Sequence, residues 1–122
     1  MPFNWIKSKF GSTDRNSQGP DYTTIDSNEK AIALYQKGNL VKLYLMPIEF
    51  GGQDIAMNCV YVPQFVQIFK ERFDLMVGKM VEEGKQLNYS ASPQYKGNSF
   101  IPSQILISVT GDAQFSEEIK VW

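Results

Sequence analysis

Ser103-Gln-Ile-Leu-Ile-Ser-Val-Thr-Gly-Asp-Ala-Gln-Phe-Ser-Glu-Glu-Ile-Lys-Val121 decides the fold. In 103–110, Ile105, Ile107 and Val109 alternate with Leu106, Ser108 and Thr110. A period of two is that of a strand with one covered face. In 114–121, Phe115, Ile119 and Val121 share a side with Glu117, while Ser116, Glu118 and Lys120 fall on the other, which Trp122 continues. Gly111-Asp112 reads as a two-residue hairpin turn between the strands.

Upstream, residues 86–92 repeat the pattern, with Leu87, Tyr89 and Ala91 alternating with Asn88, Ser90 and Ser92. Lys96-Gly-Asn-Ser99 turns this pair, and Pro93 and Pro102 sit at irregular edge positions. An apolar sheet face needs a cover. The longest helix, about residues 63–83, supplies it: Phe65, Phe69, Phe73, Met76 and Met80 recur near the helical period, widened by Val66, Ile68 and Val77. Gln67, Lys70, Glu71, Asp74, Lys79 and Glu82 form its polar side, Pro63 suits its first turn and Gly84 its end.

Before this helix, Val41, Leu43 and Leu45 alternate with Lys42, Tyr44 and Met46 in a strand over 40–46 that Pro47 stops. Cys59–Val62 is a second short strand, closed by Pro63. A loop with a Gly51-Gly52 hinge joins them. An earlier helix begins near Asp26, with Glu29 at capping-box spacing and Gly38 as its stop. The expected fold is therefore α+β: a two-layer sandwich in which a mainly antiparallel sheet of four to five strands is covered on one face by the long helix. Residues 26–122 form that single domain. Residues 1–25 read as a flexible or loosely docked N-terminal segment, with a short amphipathic stretch at 1–10 (Phe3, Ile6 and Phe10) and a polar linker at 11–24.

Composition narrows the chemistry. The chain has 122 residues, no histidine and one cysteine, Cys59. Histidine is the commonest metal ligand and the usual general base near neutral pH, so Ser–His and Cys–His nucleophile pairs and His-bearing zinc sites are excluded. The net charge of −1 is too small to steer the chain to nucleic acid. Residues 1–20 carry three bases against one acid; the remainder carries nine bases against twelve acids. A mildly acidic body suits a basic partner. No run is long enough to span a membrane, and the first ten residues lack the apolar core of a secretion signal. One unpaired cysteine fits a reducing compartment. The expected location is the cytoplasm, without a membrane or nucleic-acid partner.

The candidate chemical groups have bland readings beside sharp ones. Cys59, between Asn58 and Val60 in an apolar strand, reads as a buried structural thiol, because nothing near it in sequence would lower its pKa. Glu49 and Asp54 flank Gly51-Gly52 and could act as an acid–base pair or hold a cation, but they read as solvated acids of a turn. Gly51-Gly52 lacks the spacing of a phosphate loop. Tyr44, Tyr61, Tyr89, Tyr95, Phe100 and Trp122 could stack bases only beside a basic groove, and Lys96 alone is basic near Tyr89–Phe100. No catalytic, cofactor-binding or metal-ligating residue is assigned, and no cofactor is expected. In the loop 47–58, the Asn58 side chain is expected to bond backbone within Glu49–Asp54, because its amide can both donate and accept.

Three stretches carry a resemblance: Leu45-Met-Pro-Ile-Glu-Phe-Gly-Gly-Gln-Asp54, Asn58-Cys-Val-Tyr-Val-Pro63 and Pro93-Gln-Tyr-Lys-Gly-Asn-Ser-Phe-Ile-Pro-Ser103. In this order, around one long helix, they resemble a group of small bacterial proteins similar to the immunity proteins of polymorphic toxin systems. The likeness covers about Asp26 to Trp122. It implies a cytoplasmic protein that binds and blocks a cognate toxin, a role needing no active site, and it brings no catalytic residues. Candidate partner contacts are Tyr44, Glu49, Asp54, Tyr95, Lys96, Glu118 and Trp122, on a monomer or weak homodimer. Two other classes stand beside this one: a self-associating structural module, and an enzyme working without histidine.

Overall fold

A computed structural model describes residues 20–122; the amphipathic stretch expected at 1–10 lies outside them. The chain runs α1 (Asn28–Gln36), β1 (Val41–Tyr44), a 3-10 turn (Ile48–Phe50), a second 3-10 turn (Ala56–Asn58), β2 (Cys59–Val62), α2 (Gln64–Glu82), β3 (Leu87–Gln94), β4 (Gln104–Gly111) and β5 (Phe115–Lys120).

Helix α1 is capped by Ser27, not Asp26. Ser27 has extended backbone, and its hydroxyl accepts from the Lys30 N–H at 3.2 Å. With the cap at 27 the capping-box position falls on Lys30, so Glu29 cannot complete the box. Asp26 instead pairs with the Lys30 ammonium at 2.7 Å. Both helices end alike. Gly38 and Gly84 take φ of +83° and +99°, and Asn39 and Lys85 donate back to Leu34 and Met80. This left-handed exit satisfies the last carbonyls and is open to glycine at little steric cost.

The five expected strands form, but in two sheets rather than one. β1 and β2 pair antiparallel, from Val41↔Val62 to Tyr44↔Cys59. β3, β4 and β5 make a separate antiparallel sheet in that order. Each sheet is closed by hairpins local in sequence, with the 19 residues of α2 between them. Side chains join them: Leu43, Val60 and Val62 share one core with Ile101, Ile105, Ile107 and Ile119. The alternation read in β4 holds, since Ile105, Ile107 and Val109 are buried. The β4–β5 turn is longer than two residues, because Val109↔Phe115 is the last pair. Gly111 still belongs to β4, where it opposes Leu87. Asp112 then bonds the start of β3, accepting from the Gln86 N–H at 2.8 Å.

Two corrections concern packing. Tyr22 and Ile25, which the sequence places in the N-terminal segment, pack on the core. Ile25 also accepts a backbone bond from Phe100 at 2.7 Å. More consequentially, the aromatic stripe of α2 does not form the core-facing line. Val66, Lys70 and Val77 are the buried residues of α2, with Phe73 partly buried beside them. Phe65, Ile68, Phe69 and Met76 are exposed. The helix is turned by about a quarter of a revolution from the orientation that the stripe implies. Among the described residues, no helix is long and apolar enough to cross a membrane.

Candidate functional site

The turn of α2 places a lysine in the interior. Lys70 is 1% exposed, and a buried charge needs a partner. Its ammonium meets Asp74, one turn on, at 2.7 Å. The other Asp74 oxygen accepts from the Tyr89 hydroxyl at 2.5 Å, and the Lys70 nitrogen stands 5.3 Å from the centre of the Tyr89 ring. The three side chains thus tie α2 to β3. Burial pushes the Lys70 pKa down, while Asp74 and then Glu49 oppose that shift. Burial, followed by the Asp74 carboxylate, raises the Tyr89 phenol far above its ordinary range. At neutral pH the phenol is a donor and no base.

This cluster lies along an open cleft of about 800 Å³ between α2 and the β1 side. Lys42 and Tyr44 line one wall, Ile48–Phe50 the mouth, and Lys70, Asp74 and Lys79 the helix wall. Phe50 meets the Tyr89 ring edge-on at 5.5 Å. Gly78 faces the same ring across a gap in which a Cβ would make ordinary contact with Phe50, at 3.9 Å.

The loop bordering the cleft is held by Asn58. Beyond the last β1–β2 pair, Leu45 still donates to the Asn58 carbonyl at 2.9 Å. The Asn58 side chain then takes the place of a strand backbone. Its Oδ1 accepts from the Met46 N–H at 2.8 Å and its Nδ2 donates to the Met46 carbonyl at 2.9 Å. Nδ2 also donates to the Gln53 carbonyl at 3.0 Å. The bond to Gln53 is the one expected from sequence; the pair to Met46 extends it. Gly52 lies so close that a Cβ there would stand 1.9 Å from the Met46 oxygen and 2.9 Å from Asn58 Nδ2. Only glycine fits.

The seven candidate contact residues fall into three groups. Tyr44 and Asp54 lie near Lys42 and Cys59: Lys42 reaches Asp54 at 3.3 Å, and the Cys59 sulfur lies 3.6 Å from the same oxygen. Glu49 is exposed at the cleft mouth. Asp54 is thus paired with Lys42, while the charge of Glu49 acts on Lys70. Tyr95, Lys96 and Trp122 belong to a second region. Lys96 sits 4.3 Å over the Trp122 ring, whose Nε1 donates to the Ile101 carbonyl at 3.0 Å. Glu118 lies apart from both regions, on the exposed side of β5 with Ser116 and Lys120.

Cys59 is half-buried rather than buried, because Val60 and Val62 take the inward positions of β2. Burial and then Asp54 raise its thiol pKa, the opposite of an activated nucleophile. Among the described residues no group of three or more Cys, Asp and Glu side chains could hold a metal ion.

Sequence reasoning passed over Lys70, Asp74 and Tyr89. A signal was present: Val66, Phe73 and Val77 keep a spacing whose missing member is position 70, and Asp74 follows it at the distance of an i,i+4 pair. No family model matches the chain, and no curated protein matches it.

Proposed function

We propose that this is a non-enzymatic binding protein of the cytoplasm, an immunity protein that neutralises a cognate bacterial toxin by covering its active site or substrate path. The observation that supports this reading is the loop 47–58. Hydrogen bonds at Asn58 pin it, yet it presents Ile48, Ile55 and Met57 to solvent, Met57 at 88% exposure. Apolar groups on a pre-ordered loop lose little freedom on binding. Exposed Glu49 and Asp54 flank them and favour a basic partner, speeding its approach. The cleft beside the loop can admit a projecting side chain of that partner. Resemblance to the immunity group through Leu45–Asp54, Asn58–Pro63 and Pro93–Ser103 agrees with a role that needs no catalytic group.

The test is co-expression with the toxic domain encoded beside this chain. Growth should be restored and a complex should co-elute on gel filtration. Changing Glu49→Gln and Asp54→Asn together should weaken the complex while leaving stability within about 0.5 kcal/mol, as expected for exposed groups. Absence of both rescue and complex would sink the reading. Unchanged affinity in the double variant would remove the loop from the contact face.

A further inference from the structure

We propose that a second copy of this chain pairs with the free edge of β5, in antiparallel register about a two-fold axis through Ile119. This rests on a different surface from the loop 47–58 and stands whether or not a toxin partner exists. Three observations carry it.

The first is the edge itself. β5 pairs only with β4 in the order β3-β4-β5. The Val121 N–H bonds the Ser103 carbonyl at 2.8 Å, which fixes the alternation of the ladder. Phe115, Glu117 and Ile119 therefore point their backbone groups at β4, and Ser116, Glu118 and Lys120 point theirs outward. Among the described residues no backbone partner meets those groups. Such an edge is a template for another strand.

The second is the groove beside it. Phe69, Phe73 and Met76 of α2, with Ile119, line an open groove of about 530 Å³ along β5. Phe69 is 55% exposed and Met76 45%. A two-fold that joins the strands brings the α2 of each copy alongside the other and covers this row.

The third is charge. Charges on an edge strand ordinarily block pairing. Here they block every two-fold register through the charged stretch but one. Outward backbone groups must meet outward ones, so the axis passes through a single residue. Axes through 117, 118 or 120 set Glu117, Glu118 or Lys120 against its own copy. An axis through Ile119 sets Ile119 on Ile119 and Glu118 against the partner's Lys120, twice.

The experiment is light scattering on the full chain across a concentration series, with the variants Glu118→Lys and Lys120→Glu. Both positions are exposed, and circular dichroism confirms that each variant folds. The parent chain should approach twice its monomer mass as concentration rises. Each single variant should weaken dimerisation about tenfold or more, because two favourable cross-strand pairs become like-charge pairs. Mixing the two variants in equal amounts should restore the dimer, since each supplies the charge the other lacks. The double variant Glu118→Lys/Lys120→Glu should restore it alone. A parent chain that stays monomeric at its highest soluble concentration overturns the proposal. So does a dimer indifferent to both single changes, or one that mixing fails to restore.

Discussion

The two flanks of α2 solve opposite problems. On the flank toward β1, polar groups go inward: Lys70, Asp74 and Tyr89 meet one another beneath a cleft edged by Glu49 and Lys42. On the flank toward β5, apolar groups stay outside: Phe65, Phe69 and Met76 line the helix in solvent. A helix stabilised by burial alone would be turned the other way, with the aromatic row inside and Lys70 in water. The difference teaches that the position of α2 follows specific polar contacts as well as apolar area. A buried ion pair often adds little net stability over an apolar replacement, but it is costly to break. It therefore fixes the turn of the helix, and that turn leaves an apolar surface available for contact.

Four changes would break or sharpen this contrast. Asp74→Ala strands the Lys70 ammonium in the interior and should cost about 3–5 kcal/mol, measured as the urea unfolding midpoint. Asn58→Ala removes the partners of Met46 and Gln53 and should cost about 1–3 kcal/mol, with faster backbone exchange confined to the loop 47–58. Tyr89→Phe should cost a comparable amount, roughly 1.5–3 kcal/mol for a hydrogen bond to a charged group, and it carries a pH signature. The Tyr89 phenol is raised in the folded state, so its contribution is complete below the ordinary tyrosine value and is lost as pH climbs above about 10. Burial lowers Lys70, which gives the opposite sign: the cost of its buried ammonium is relieved as pH rises through its lowered value and the gain is complete near the ordinary lysine value of about 10.4, mostly before the tyrosine loss sets in. Unfolding from pH 8 to 11 should therefore show the gap between parent and Tyr89→Phe closing at the alkaline end. Phe69→Ser, on the exposed flank, should change monomer stability by no more than about 0.5 kcal/mol, while weakening self-association in the same scattering measurement. A loss comparable to that of Asp74→Ala would mean that the flank is core after all.

Local pattern carried much of the fold. The alternation of β3, β4 and β5, the glycine stops of both helices and the role of Asn58 toward Gln53 were legible, because each depends on neighbours a few residues away. The rotation of α2 was not. The Phe65–Phe69–Phe73–Met76–Met80 stripe is the stronger periodic signal, and a charged residue at position 70 argues for solvent unless its partners are known. One partner, Asp74, is visible at i,i+4. Tyr89 lies across a helix-to-strand contact that spacing alone does not reveal. The division into two sheets escaped for the same reason, since strands of similar pattern give no indication of which neighbours they pair with. Of the candidate contact residues, Tyr44, Glu49 and Asp54 lie in one region because the loop returns to β1, whereas Glu118 belongs to a different surface.

Accessibility of the lysines tests the rotation of α2 most directly. Brief acetylation of the native chain, read residue by residue by mass spectrometry, compares Lys70 with Lys30 and Lys85, both exposed. Lys70 should stay unmodified while the other two react, and should become reactive only in denaturant or in an Asp74→Ala variant. Native Lys70 that reacts as fast as Lys30 and Lys85 would contradict the account, because α2 would then present its lysine face to solvent and its aromatic row to the core.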